Sequence, residues 1–269
     1  MVSGRRTALV TGASAGIGEA FARALAANGI DLILTARRVD RLDALAAELR
    51  ASHGVSATVI PANLAEPGAA AAIVGSIESQ GLEVDWLINN AGYGVPGTFA
   101  QSDWTTHADF LRVMVEAPAE LIWRLLPGMR TRNYGRIVNV ASLAGHMPGP
   151  PGHTLYAPAK AFLIKMSESL AMEHRGAGVH VCALCPGFTF SEFHDTAGTR
   201  NLVEQLPKIF WQTAEAVVDE GIKAVEAGEA MRITGRVNRI SKALVGLLPD
   251  SVALRLMARE ARKFRQDKV

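Results

Sequence analysis

The sequence predicts a doubly wound α/β fold, and three observations carry that prediction. Short β-prone runs alternate with longer helical patterns along the chain, the alternation that builds a parallel sheet covered by helices on both faces. The first run, Thr7-Ala-Leu-Val-Thr11, passes through Gly12-Ala-Ser-Ala-Gly16-Ile17-Gly18 into an Ala/Leu-rich stretch, so strand, glycine turn and helix follow one another directly. The alternation stays regular over 269 residues, which predicts one domain spanning residues 1–269 rather than two.

Glycines at 12, 16 and 18 let the backbone turn tightly and bring amide groups, with a helix N-terminus, against a pyrophosphate. The helix behind them runs from Glu19 to Asn28, and Ile30 to Thr35 is the second strand. At the C-terminal end of that strand an acidic residue would accept from a ribose 2′-hydroxyl, whereas an arginine suits a 2′-phosphate. Ala36 is neutral and Arg37 and Arg38 follow it, so a 2′-phosphate is expected there and NADP(H) is favoured over NAD(H). The alternative is that both arginines are solvated charges opening the next helix.

Val39 to Ala51 is that helix, Ser56 to Ile60 a short strand, Glu66 to Gln80 a surface helix, and Val84 to Ile88 a strand leading into Asn89-Asn90-Ala91-Gly92. Asp103 to Arg132 reads as one or two long helices, broken or kinked near Pro118 and ending at Pro127-Gly128 or soon after. Ile137 to Ala141 is a buried strand. Leu143 to Leu155 is too rich in Pro and Gly to be anything but a loop.

The loop opens after Ser142 and closes on Tyr156-Ala-Pro-Ala-Lys160, the start of a helix running to about Arg175 with Phe162, Leu163, Met166 and Leu170 as its apolar face. Residues four apart leave one helix face a turn from each other. A phenol titrates near about 10, and a cation beside it is expected to draw that value down, leaving Tyr156 able to trade a proton with a substrate oxygen. Ser142, at a strand end, can hydrogen-bond the same oxygen. His146, Met147, His153 and Leu155 border it and are candidate substrate contacts, simple solvation being the alternative for the histidines.

Val179 to Leu184 is the next strand; its Cys182 and Cys185 have C-x-x-C spacing but fall on opposite strand faces with no second pair or His cluster, so buried core thiols and no metal are expected. Thr213 to Ala227 is helical and Met231 to Gly235 a last short strand. The tail from about 237 to 269 ends in a basic amphipathic helix, Ser251 to Lys268. It has three roles open to it, capping the substrate pocket, packing in an oligomer or resting on a membrane surface, and packing on the protein is the expectation. Net charge is +2 with 20% charged residues, which leaves no basic stripe for nucleic acid and points to small-molecule chemistry. The glycine turn begins at residue 12 and no apolar run nears the roughly 20 residues of a membrane span, so a cytoplasmic protein is expected.

The spacing of Gly12, Gly16 and Gly18, the Asn89-Asn90-Ala91-Gly92 run, Ser142, Tyr156 and Lys160, in that order, resemble the short-chain dehydrogenase/reductase family from about residue 5 to residue 235. The resemblance implies a Rossmann-type three-layer sandwich with a mostly parallel seven-stranded sheet. It implies a cofactor held by Gly12, Ser14, Ala15, Gly16, Ile17 and Gly18, by Arg37 and Arg38, by Asn63 and Leu64 where the family has an Asp at the adenine, and by Asn90, Ala91 and Gly92. Tyr156 and Lys160 would meet its ribose, and Pro186, Gly187, Thr189 and Ser191 its nicotinamide end. A mobile substrate lid is implied over about 188–212, with Phe188 and Phe193 as substrate contacts; Phe190, Phe210 and Trp211 would join an apolar wall or form a local cluster. A homodimer or homotetramer is also implied. Met114 departs from the family, which carries an Asn there to hold a water that links the lysine to solvent. Function is therefore expected to be NADP(H)-dependent interconversion of a carbonyl and an alcohol on a small or medium, apolar substrate, with Ser142, Tyr156 and Lys160 catalytic. The rival is a catalytically idle dinucleotide sensor or regulatory protein on the same fold.

Overall fold

The strands carry apolar side chains on both faces, the composition of a parallel sheet covered on both sides. In the computed structural model, which describes residues 4–149, 151–152, 154–190, 192 and 207–262, every residue of β2 (Asp31–Thr35) and β5 (Gly135–Val140) is buried, as is nearly all of β1 (Thr7–Thr11) and β6 (Val179–Cys185). With β3 (Ala57–Val59), β4 (Trp86–Asn89) and β9 (Met231–Ile233) they form a seven-stranded sheet in the order β3-β2-β1-β4-β5-β6-β9, every pairing parallel. The order reverses between β1 and β4, and in such sheets the crevice beyond the strand ends at that point is where ligands bind.

Side-chain alternation divides the core into two layers. Ala8, Val10, Leu32 and Leu34 face α1 (Gly16–Ala27), α2 (Val39–His53) and α7 (Ala214–Glu226), meeting Phe21, Leu25, Leu42 and Val217. Leu9, Ile33, Leu87 and Ile137 face α3 (Ala69–Ser79) and α5 (Ala117–Thr131), meeting Ile73, Ile77 and Leu121. Each large side chain buried in this way contributes about 1.5–3 kcal/mol relative to exposure. Cys182 lies in the first layer and Cys185 in a third cluster with Leu163 and Ile164; both are free buried thiols, and burial pushes Cys182 up to about 12 and Cys185 upward as well.

The long helix is interrupted beside Pro118 as expected, the interruption being a π-helical turn, Arg112–Glu116, between α4 (Trp104–Leu111) and α5. Pro118 lacks the N–H that would bond back to residue 114, and the wider turn accommodates the missing bond. Several details differ from the sequence expectation. In α6 (Tyr156–Glu173), Leu163 is buried but Phe162 is 40% exposed, so Phe162 does not belong to the core face. Two-residue strands β7 (Phe188–Thr189) and β8 (Trp211–Gln212) pair in parallel, too short for any sequence period to announce. Trp211 stacks on Phe190 at 4.6 Å and tilts against Phe188 at 5.7 Å, a local aromatic cluster. The tail forms two helices, α8 (Arg236–Gly246) and α9 (Asp250–Arg262), in place of a single one from Ser251. Asn238 anchors α8 to the body through Thr234 and Gln212. No helix among the described residues is long and apolar enough to cross a membrane.

Candidate active site

β5 ends at Val140, and the extended backbone beyond it presents Ser142 as the cap of a 3-10 turn, Leu143–His146, where its hydroxyl accepts from the Ala144 amide at 3.1 Å. Helix α6 starts at Tyr156, so helical spacing sets Lys160 one turn further on. Lys160 is 5% exposed and its ammonium donates to the Val140 carbonyl at 2.7 Å, tying α6 to the end of β5. That tie holds Tyr156 beside Ser142, with which it hydrogen-bonds. The Lys160 nitrogen lies 5.7 Å from the Tyr156 ring centre.

The electrostatics differ from the sequence expectation. Burial pushes the Tyr156 phenol up to about 12, with the Ser142 bond opposing it, while burial draws Lys160 down to about 8. Desolvation of the anion sets the direction for Tyr156, and the lysine nitrogen is directed at a carbonyl rather than at the phenol. Tyr156 is therefore a neutral O–H at physiological pH, set up as a proton donor.

Beside Tyr156 lies a recess of about 10 Å³, room for about one water, lined by Val95, Gly97, Thr98, Phe99, His107, Phe110, Thr154 and Leu155. Met114, 1% exposed, packs with Phe110 and Ala159 against the Tyr156 side and lies so close to Gly92 that a Cβ there would come within 2.8 Å of its sulfur.

Across the crevice lies the glycine turn. Gly12 has φ +66°, and a Cβ on it would come within 2.8 Å of the Asn90 amide, while one on Gly18 would run into the Gly12 carbonyl oxygen. Asn90 donates to the carbonyls of Thr11 and Gly12 at 3.0 and 3.2 Å, and the Thr11 hydroxyl accepts from the amides of Asn90 and Ala91, so β1 and β4 are locked together at the switch point. No side chain caps the first turn of α1 at Ala15, leaving its amides directed into the turn. A glycine cradle with an uncapped helix N-terminus fits the pyrophosphate of a dinucleotide. At its rim Arg38 donates to the Ser14 hydroxyl at 3.0 and 3.2 Å and pairs with Glu192, which also pairs with Arg41; Arg37 is exposed at the same edge.

A model of the short chain dehydrogenase family matches residues 6–201. The chain belongs to the short-chain dehydrogenase/reductase family. It is 35% identical to nodulation protein G of Rhizobium sp. (strain N33), over 89% of this chain and 96% of that one. Among solved structures it is similar to a 7beta-hydroxysteroid dehydrogenase, with TM-score 0.84, 26% identity and coverage of 94% and 96%. It is similar also to a short-chain dehydrogenase from Sphingobium yanoikuyae in complex with NADPH, with TM-score 0.79, 31% identity and 98% of each chain covered.

Within this short-chain dehydrogenase frame the other sequence-predicted residues are spread unevenly. Ile17 and Gly16 open α1 at the cradle, and Ala91 and Gly92 leave β4 across from it. The Asn63 side-chain oxygen Oδ1 accepts from the Ala65 amide at 3.2 Å, a local turn, and Leu64 beside it is buried. Pro186 accepts from the Leu143 amide, joining the turn after β6 to the turn after Ser142; Gly187 lies under Asn238, and Thr189 is 4% exposed. Leu155 lines the recess. His146 is half-buried toward Lys242 of α8, Met147 follows it, and Phe188 packs against Trp211. Ser191, His153 and Phe193 lie outside the described residues. Sequence reasoning missed His107 and the chain Asn89 to Asn139 to Ser167, linked at 2.9 and 2.8 Å, which ties β4, β5 and α6 behind the site. An Asn inside an apolar strand run was the one signal for the second of these.

Proposed function

We propose that this chain is an NADP(H)-dependent oxidoreductase that interconverts a carbonyl and an alcohol on a small or medium, apolar substrate. The observation that carries the reading is the meeting of Ser142, Tyr156 and Lys160 at the same end of the sheet as the glycine cradle. The NADPH complex of the similar Sphingobium enzyme supports the choice of cofactor.

In reduction, a substrate carbonyl oxygen sits between the Ser142 hydroxyl and the Tyr156 phenol. Both groups donate to it, and their pull grows as negative charge develops there. Tyr156, neutral because its pKa lies near 12, gives its proton to that oxygen. Lys160, protonated below about pH 8, stabilises the phenolate left behind. Bound NADPH supplies the hydride that the protein itself lacks. Arg38, at the rim beside Ser14, would meet the 2′-phosphate.

Tyr156→Phe tests this reading. NADPH oxidation with a panel of ketones and aldehydes should fall about a hundredfold or more, the scale of a lost general acid, while NADPH binding holds. Turnover near that of the unaltered protein would refute the assigned role. Cofactor binding without turnover of any substrate by the unaltered protein would favour a sensor.

A further inference from the structure

Helix α8 reverses the usual placing of an amphipathic helix. A surface helix turns its apolar stripe toward the core and its polar side to water. Here the residue turned inward is Asn238, 4% exposed, whose amide donates to the Thr234 carbonyl at 2.8 Å, and Arg239 adds bonds to the Ile233 carbonyl and to Glu220, each at 3.0 Å. The helix thus meets the body through a polar anchor. Ile240, Leu244 and Leu247 follow at helical spacing on the other side, 60%, 60% and 81% exposed. Beyond Pro249, α9 adds Val252, Leu254 and Leu256, all exposed. Seven of the fifteen large apolar side chains exposed among the described residues lie between 240 and 256, and a concentration of that kind marks a surface that something covers.

Charge is segregated to the same stretch. Residues 236–268 carry nine Lys and Arg against three Asp and Glu, while the rest of the chain has more acidic than basic residues. Arg236, Lys242 and Arg255, on the same two helices, are exposed, and none of the three makes an ion pair among the described residues. An apolar stripe flanked by cations matches an anionic lipid leaflet, whose acyl boundary takes the leucines and whose headgroups take the cations. A second copy of the chain matches it poorly, because a two-fold contact sets the patch against itself and brings like charges together.

We propose that α8 and α9 form a peripheral docking surface for an anionic lipid bilayer, lying in its headgroup plane without crossing it. The proposal is independent of the carbonyl reductase reading, since adhesion to lipid needs neither cofactor nor turnover.

The test is co-sedimentation of the full chain with phosphatidylcholine vesicles, plain or containing about 30% phosphatidylserine, in about 0.1 M and about 0.5 M salt. The unaltered protein should bind the anionic vesicles at the lower salt, bind them about tenfold or more less tightly at the higher, and bind plain vesicles at least about tenfold more weakly. Leu244→Gln with Leu247→Gln removes two exposed side chains and no core packing, so its thermal midpoint should match that of the unaltered protein while vesicle affinity falls about tenfold or more. Arg236→Gln, Lys242→Gln and Arg255→Gln together should weaken binding to anionic vesicles about a hundredfold, about fivefold for each cation, and leave the weak binding to plain vesicles as it was. Failure to sediment with anionic vesicles overturns the proposal, as does equal binding to both vesicle types. Binding that outlasts the leucine substitutions would be that of a basic tail for any polyanion, and it overturns the docking surface too. A dimer in sedimentation velocity that the leucine substitutions dissociate, without vesicle binding, assigns the face to a second copy and overturns it as well.

Discussion

Lys160→Met should make the cofactor-free protein more stable at neutral pH while removing its activity. Burial holds Lys160 at about 8 against an ordinary value of 10.5, and about 2.5 units at 1.36 kcal/mol each is a cost to folding of about 3 kcal/mol wherever both states are protonated. Methionine fills nearly the same space without a charge. Against this stands the lost bond to the Val140 carbonyl at 2.7 Å, worth about 1.5–3 kcal/mol for a charged donor, so a net gain of about 1 kcal/mol is expected at pH 7. The sign follows from linkage: the folded pKa is depressed, so the unfolded chain binds more protons between about 8 and 10.5, and the protein with lysine gains stability as pH rises through that window. Urea unfolding without added cofactor should show the variant ahead at pH 7 and level or behind at pH 10, a relative change of about 2 kcal/mol. A difference that stays constant between those pH values would refute the argument from burial. Turnover should fall at least about a hundredfold, the exchange of stability for function expected at a buried catalytic charge.

The other expectations concern the rim and the back wall of the site. Arg38→Ala should weaken NADPH about tenfold to a hundredfold and NADH by about threefold or less, since the Arg38 guanidinium reaches Ser14 at the edge of the cradle; Arg37→Ala is the control, and equal weakening of both cofactors by Arg38→Ala would show that the arginine serves the cradle and not a phosphate. Met114→Asn exchanges a thioether packed on Phe110 and Ala159 for an amide in the same buried place, which should cost about 1–3 kcal/mol in denaturant unfolding with no gain in turnover when chemistry limits the rate. Faster turnover in that folded variant would show that proton supply through this position limits the natural protein.

Much of this molecule was legible in the sequence because it is decided over short distances along the chain. The strands are apolar runs bounded by turns, and the glycine cradle needs only three residues without side chains between β1 and α1. Tyr156 and Lys160 share a face because any helix brings residues four apart together. The tertiary structure alone decided what depends on distant segments meeting. The direction in which Tyr156 is shifted follows from how much water the surrounding chain removes, and a lysine one turn away carries no information about that. The Val140 carbonyl that holds Lys160, the Asn89, Asn139 and Ser167 chain and the packing of Met114 against Gly92 each join elements separated by whole strands and helices. His107 is the clearest case: a histidine one turn into a helix is unremarked in the sequence, and it comes to line the recess beside Tyr156 because α4 packs against the start of α6. Local geometry is written in residue spacing, whereas burial and partnership are sums over the whole fold.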